Sequence, residues 1–266
     1  MIALYRRVFA IGLQDTFVYR WNFLLRSFFS IIPLIGTVFV WRAVCEQGEG
    51  LTSYNLSAVV FYFVGVMVVD NLASPTEDEW RIAAEIREGQ ISALLTKPIN
   101  HLLYRLSLFG AYRFLYSLVT FPVVACVLWG LRTHLQFPQH LLTWPLFILA
   151  VCGSALIQFF IAYSLAMLAF WVLEVSTFIF ILYSFEYFLS GHVFPLDLLS
   201  PRLQTLLQWT PFPYEVFFPV QVLLERLDTA NLQKSFGLQF LWVCITATAA
   251  RFLWHRGVRK YQAAGG

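Results

Sequence analysis

The chain is short of charge. Only 12% of its 266 residues are Asp, Glu, Lys or Arg, against 59% hydrophobic, and the lysines number three: Lys97, Lys234 and Lys260. An average soluble domain is about 25% charged, so this composition cannot clothe a water-facing surface, and a soluble globule is excluded. Disorder needs low hydrophobicity and nucleic-acid binding needs a basic stripe; a net charge of +3 without a basic run supplies neither. No lysine closes a G-x-x-x-x-G-K-[ST] phosphate loop, and H-E-x-x-H and G-x-S-x-G are both missing. Cysteine is scarce as well. Cys45, Cys126, Cys152 and Cys244 stand far apart, three of them in apolar stretches, as small buried hydrophobes do. His101, His134, His140 and His255 are scattered and make no metal set. Arg6 and Arg7 precede no small-x-small cleavage site, so a cleaved signal peptide is not expected.

What the chain has is long apolar runs. A helix needs about 20 apolar residues to cross the hydrocarbon core. Runs of that kind fall at roughly 27–44, 54–72, 106–130, 144–173, 176–191 and 237–254. With the N-terminus inside, 13 of the 18 Lys and Arg face the cytoplasm and only Arg42, Arg132, Arg202, Arg226 and Lys234 face outward. That bias sets the orientation, with both ends inside. The fourth run is too long for an untilted span, and the fifth is short.

After the fifth run, residues 191–226 are apolar but punctuated by Pro195, Pro201, Pro211, Pro213 and Pro219. No uninterrupted 20-residue helix fits there. Two short helices that enter the outer leaflet and return would fit, provided that protein or a wet cavity satisfies the broken backbone. An ordinary outer loop with interfacial Trp209, Phe212, Tyr214 and Phe218 is the alternative.

Two elements lie on the cytoplasmic side. Residues 1–20 place Ile2, Tyr5, Val8, Phe9, Gly12, Leu13 and Phe17 on one helical stripe, with Arg6, Arg7, Gln14 and Asp15 off it, as in an interfacial amphipathic helix. Between spans two and three, Ser74, Pro75 and Glu77 read as an N-cap, a first helical residue and the return partner of a capping box. Glu77, Asp78 and Glu79 then suit the positive end of the dipole, and Gly89 supplies a left-handed stop. A second short helix, 91–95, ends before Lys97 and Pro98. So well capped a helix-turn-helix offers a docking surface for a soluble partner; a stable solvated loop is the simpler alternative.

The segment Glu85 to Ile99, E-I-R-E-G-Q-I-S-A-L-L-T-K-P-I, resembles the coupling segment of type-2 ABC transporter permeases. Gly191-His-Val-Phe-Pro195, Trp209-Thr-Pro-Phe-Pro-Tyr214 and Pro219 resemble the re-entrant region of the same family. The resemblance spans essentially the whole chain, residues 1–266, as a single permease domain. It implies an all-α polytopic membrane protein with six transmembrane helices, an N-terminal interfacial helix (1–20), cytoplasmic coupling helices between spans two and three (74–98), and re-entrant helices after span five (191–226). It also implies an exporter subunit of a bacterial inner membrane, moving a hydrophobic or amphipathic substrate. The partners would be two separately encoded ATP-binding subunits, which hold ATP and Mg, and a second permease, identical or homologous. The chain itself would hold no cofactor. Coupling then falls to Glu77, Trp80, Arg81, Glu85, Arg87, Glu88, Gly89, Leu94 and Pro98, with charge-assisted contacts from Glu85, Arg87 and Glu88 and the inter-helix angle from Gly89. The path or gate falls to Glu186, Gly191, His192, Pro195, Pro211 and Pro213.

Other polar residues have plainer readings. Glu186 sits mid-span, where a carboxylate is costly; it faces a cavity, pairs or titrates, or is a hydrogen-bonded group near the vestibule. Asp70 and Asn71 suit capping or hydration of the second span's inner end, and Arg113 suits snorkelling to the interface. Two other classes stay open: a membrane-embedded enzyme using Glu186, His192 and Asp70 on a lipid, and a non-transporting anchor for a cytoplasmic ATPase.

Overall fold

The computed structural model describes residues 2–46, 56–75, 78–132 and 138–261. Glu77 and the capping box expected around it lie outside the described residues. The rest is helical, without a strand among the described residues: α1 (Ile2–Phe17), α2 (Arg20–Phe29), α3 (Ile31–Glu46), α4 (Leu56–Ala73), α5 (Asp78–Arg87), α6 (Ser92–Leu95), α7 (His101–Gly130), α8 (Thr143–Met167), α9 (Ser176–Leu189), α10 (Pro201–Leu207), α11 (Phe217–Leu223) and α12 (Thr229–Lys260).

Five helical stretches among the described residues are long and apolar enough to cross a membrane: Arg20–Val44, Leu56–Ala73, His101–Gly130, Thr143–Phe170 and Thr229–Lys260. The sixth expected span is α9, only 14 residues. At 1.5 Å per residue it reaches about 21 Å, short of the roughly 30 Å hydrocarbon core.

Helix α8 is the hub, with α4, α5, α11 and α12 packed on it. The larger core joins α4 (Val59 to Val69) to Phe147, Ala150, Val151 and Ile157 of α8, and to Tyr214, Val216, Phe218 and Val220 of the proline-rich region. A second core gathers Ile82 and Ile86 of α5 and Ile91 of the following turn against Phe109 of α7 and Phe159, Phe160, Tyr163 and Met167 of α8. Lipid tails are as apolar as these side chains, so close packing and polar bonds between helices hold such a bundle together. Gly153 permits one of those bonds: a Cβ there would lie 2.5 Å from the Gln239 amide. Gln239 Nε2 uses the space to donate to the carbonyls of Ala150 (2.8 Å) and Tyr214 (3.1 Å), tying α12 to α8 and to the proline-rich region.

Helix α1 runs along the first half of α7. Gly12 sits against Leu108 and Ala111, and the Asn100 backbone N–H donates to the Tyr5 hydroxyl at 3.2 Å. Phe23 of α2 continues the contact, with its ring edge-on to those of Tyr112 and Tyr116. Few of α9's side chains are covered: Ile179 is buried, while Phe178, Phe180, Ile181, Phe185, Tyr187 and Phe188 are exposed.

Candidate functional site

The helix-turn-helix forms because each junction is stopped locally. Gly89 ends α5 at φ +77°, a left-handed conformation that a side chain disfavours. After the 96–99 turn, Asn100 caps α7 by accepting the Leu103 N–H at 3.1 Å.

This element is fastened to the bundle. Helix α5 buries Ile82, Ala83 and Ile86 against α8 and the start of α9. Glu85 pairs with Arg105 of α7, a residue only 4% exposed. Arg105 Nε in turn approaches His101 Nε2 at 3.4 Å, and His101 Nδ1 shares a hydrogen bond of 2.7 Å with the Tyr163 hydroxyl of α8. The His101 ring stacks on Trp254 of α12 at 4.1 Å and 2°. At the turn, the Tyr261 hydroxyl lies 2.7 Å from Ser92 Oγ and donates to the Gly89 carbonyl at 3.2 Å. The helix-turn-helix therefore touches α7, α8 and the end of α12 at once.

The expected coupling residues divide accordingly. Glu85 turns inward, and Arg87 donates to the Leu173 carbonyl at 3.0 Å, bridging to the turn before α9. In that same turn Glu174 accepts from the Ser176 hydroxyl and backbone N–H, which hold its carboxyl below the usual range. Glu88 accepts from Gln90 at 2.7 Å on the exposed side. Trp80 and Arg81 are exposed, Leu94 is half-buried, and Pro98 is exposed beside Lys97. From Glu88 to Pro98 most residues are exposed or half-buried, with Ile91 turned into the bundle.

Of the expected path residues, Gly191 and His192 take part in polar contacts inside the bundle. Gly191 has φ +99°, and a Cβ there would lie 2.5 Å from the Tyr62 hydroxyl, which donates to the Gly191 carbonyl at 2.7 Å. That contact seats the next residue. His192 Nε2 lies 2.9 Å from Asp70 Oδ1, its Nδ1 lies 2.6 Å from Ser190 Oγ, and its ring stacks on Tyr187. Asp70 thus joins α4 to the proline-rich region, a role its position as an end-capping residue did not suggest. Glu215 lies within electrostatic reach of Glu186 and is fully buried, and its carboxylate oxygens make no hydrogen bond among the described residues. Ser154 and Gln158 of α8 reach the Glu215 carbonyl. Pro195 and Pro213 are buried, and Pro211 begins the turn that carries Tyr214 and Glu215. Glu215 went unread in the sequence, although an acid between Tyr214 and Val216 in so apolar a stretch is itself a signal.

The Ser190–His192–Asp70 chain has the residue types of a nucleophilic triad without its access. Ser190 is 0% exposed, so no substrate carbonyl reaches its hydroxyl. The chain acts as a clasp between α4 and the proline-rich region. Arg113 is likewise interior: it is 6% exposed, with its guanidinium over the rings of Tyr112 and Tyr116. It packs on aromatic faces instead of snorkelling.

Two features now stand together: long apolar helices joined by polar contacts, and a helix-turn-helix fastened to three of them. A family model described as ABC-2 family transporter protein matches residues 31–265. The chain belongs to the ABC-2 transporter family. It is a type-2 ABC permease chain, an integral membrane protein whose family generally works with ATP-binding subunits. No curated protein matches it.

Proposed function

We propose that this ABC-2 permease is the membrane subunit of an ATP-driven exporter for a hydrophobic or amphipathic substrate. It would work with two separately encoded ATP-binding subunits, which bind ATP and Mg, and with a second permease, identical or homologous. The observation that carries this reading is the fastening of the helix-turn-helix to α7, α8 and α12 while its 88–98 side stays exposed. A push on that side reaches three long helices through rigid contacts. Glu88, Leu94 and Pro98 would meet the motor, with Trp80 and Arg81 at the margin; Glu77 belongs to the same segment. Glu85, Arg87 and Gly89 would transmit the push.

In this reading α9 is the sixth span, its length completed by the proline-rich region, and its exposed aromatic face meets lipid or the second permease. The His192–Asp70 clasp and the Glu186–Glu215 pair form the gate, with Gly191, Pro195, Pro211 and Pro213 shaping it. In this reading both ends lie in the cytoplasm, which the positive-inside bias supports, and the membrane is a bacterial inner membrane, as the family resemblance implies.

The test is transport in reconstituted vesicles with the co-purified motor. His192→Phe should abolish ATP-dependent substrate movement while the complex stays assembled. Unchanged transport by that variant would remove the gate assignment. Catalytic turnover of a lipid by the chain purified alone would favour a membrane enzyme instead.

A further inference from the structure

A cavity of about 500 Å³ lies between the proline-rich region and the first turns of α12. That volume is in the range of small-molecule sites, roughly 300–1,000 Å³. Its apolar lining is partly aromatic and includes Leu207, Phe217, Phe218 and Leu238. Its polar lining includes Arg226 and Lys234 together with the carboxamides of Gln204, Gln208 and Asn231. Asp197 is the one carboxylate in the lining, and it is engaged by Arg226 at 3.7 Å and by Gln221 at 3.4 Å. Lys234 makes only a neutral contact there, to Gln208 Oε1 at 3.2 Å, so the lining is net basic.

The placement of these cations is unusual. Of the five basic residues that the charge bias assigns to the outer face, two line this one cavity. A lining that combines apolar and aromatic side chains with two cations and several amides fits a molecule with an alkyl or aryl body and an anionic head.

We propose that this cavity binds an anionic amphipath, with its phosphate or carboxylate on Lys234 and Arg226 and its apolar body over Phe217, Phe218 and Leu238. The site names the substrate class of the exporter and rests on the transport reading for that role, though not for binding itself. Lys234 supplies a mobile point charge, and Arg226, steadied by Asp197, a fixed fork of donors. The Gln204, Gln208 and Asn231 amides complete the head site.

The test is equilibrium binding to the full chain, without motor subunits, in phosphatidylcholine nanodiscs. The probes are dodecyl phosphate, dodecanoate, dodecanol, dodecyltrimethylammonium and inorganic phosphate. Dodecyl phosphate and dodecanoate should bind at least about tenfold more tightly than the alcohol or the ammonium, and inorganic phosphate should bind negligibly. Lys234→Gln should weaken the anions about tenfold and Lys234→Arg should restore them. Leu238→Trp, which fills the cavity from α12, should abolish binding of every chain-bearing probe. Equal binding of dodecanol, tighter binding of the ammonium, or Lys234→Gln without effect would overturn the proposal. So would inorganic phosphate binding as well as dodecyl phosphate, since the head site alone would then be enough. Because no motor is present, loss of binding and failure of the exporter reading are separate results.

Discussion

The apolar 18-residue windows within Arg20–Val44 and Leu56–Ala73 have almost equal mean hydropathies, 2.0 and 1.9, yet 11% of the first window is buried against 56% of the second. Hydropathy measures what a helix loses by entering lipid and is silent on which helix it then touches. Leu56–Ala73 is held between α8 and the proline-rich region, with Val59, Tyr62 and Val69 fully covered. Arg20–Val44 leaves Trp21, Phe28, Ile32 and Phe39 uncovered, as α9 leaves its phenylalanines. The permease is thus a packed core carrying apolar faces, these two and others on α7 and α12 among them, that lipid or another subunit can cover.

Substitutions should separate core from face, and thermal melting of the detergent-solubilised chain reads them. Gly191→Val forces a side chain into a left-handed position and against the Tyr62 hydroxyl, and should cost about 4 kcal/mol. Arg105→Gln leaves Glu85 without its cation beneath the coupling helix; because Glu85 is 22% exposed, about 2 kcal/mol is expected. Gln239→Leu removes two interhelical hydrogen bonds, for about 1 kcal/mol. Phe39→Leu on the uncovered face should stay within about 0.5 kcal/mol. A Phe39→Leu melt as low as that of Arg105→Gln would erase the distinction.

A pH series sharpens it at the loops before α8 and α12. The Glu225 carboxylate accepts from the Thr143 hydroxyl and from the His140 and Gln139 backbone N–H groups, capping the start of α8. Those donors, the Thr143 hydroxyl first, hold its carboxyl below the usual range. A depressed carboxylate stabilises the fold above its unfolded value near 4.5 and loses that contribution as pH falls through the folded value. Acidification below pH 4.5 should therefore lower the melting temperature of the parent chain more than that of Glu225→Gln.

Much of this was legible in the sequence because it rests on local or one-dimensional signals. Apolar runs marked the middles of the long helices, although the last run, 237–254, belongs to a helix that reaches from Thr229 to Lys260, and Gly89 and Pro98 marked the turns of the helix-turn-helix. Prolines marked the broken region after α9, where α10 and α11 are each seven residues long. Pairings across the bundle were not legible. Asp70 and His192 are 122 positions apart, Ser92 and Tyr261 169, and only tertiary packing brings each pair together. Glu85 looked outward because its helix is charged, yet a facing cation on α7 turns it inward. For Arg113, the rings of Tyr112 and Tyr116 offered a closer home than the interface.

The central claim is that the exposed 88–98 surface engages an ATP-binding subunit. Affinity purification in mild detergent tests it most directly, with the parent chain beside Glu88→Lys and Lys97→Glu, both exposed and outside the bundle's packing. The account predicts that a subunit with a phosphate-binding loop and ATPase activity accompanies the parent chain, and that both variants, equally folded, lose it. Recovery of that subunit in full by both variants would contradict the assigned docking surface. Its absence from the parent preparation, in a detergent that preserves known permease complexes, would contradict the coupling role itself.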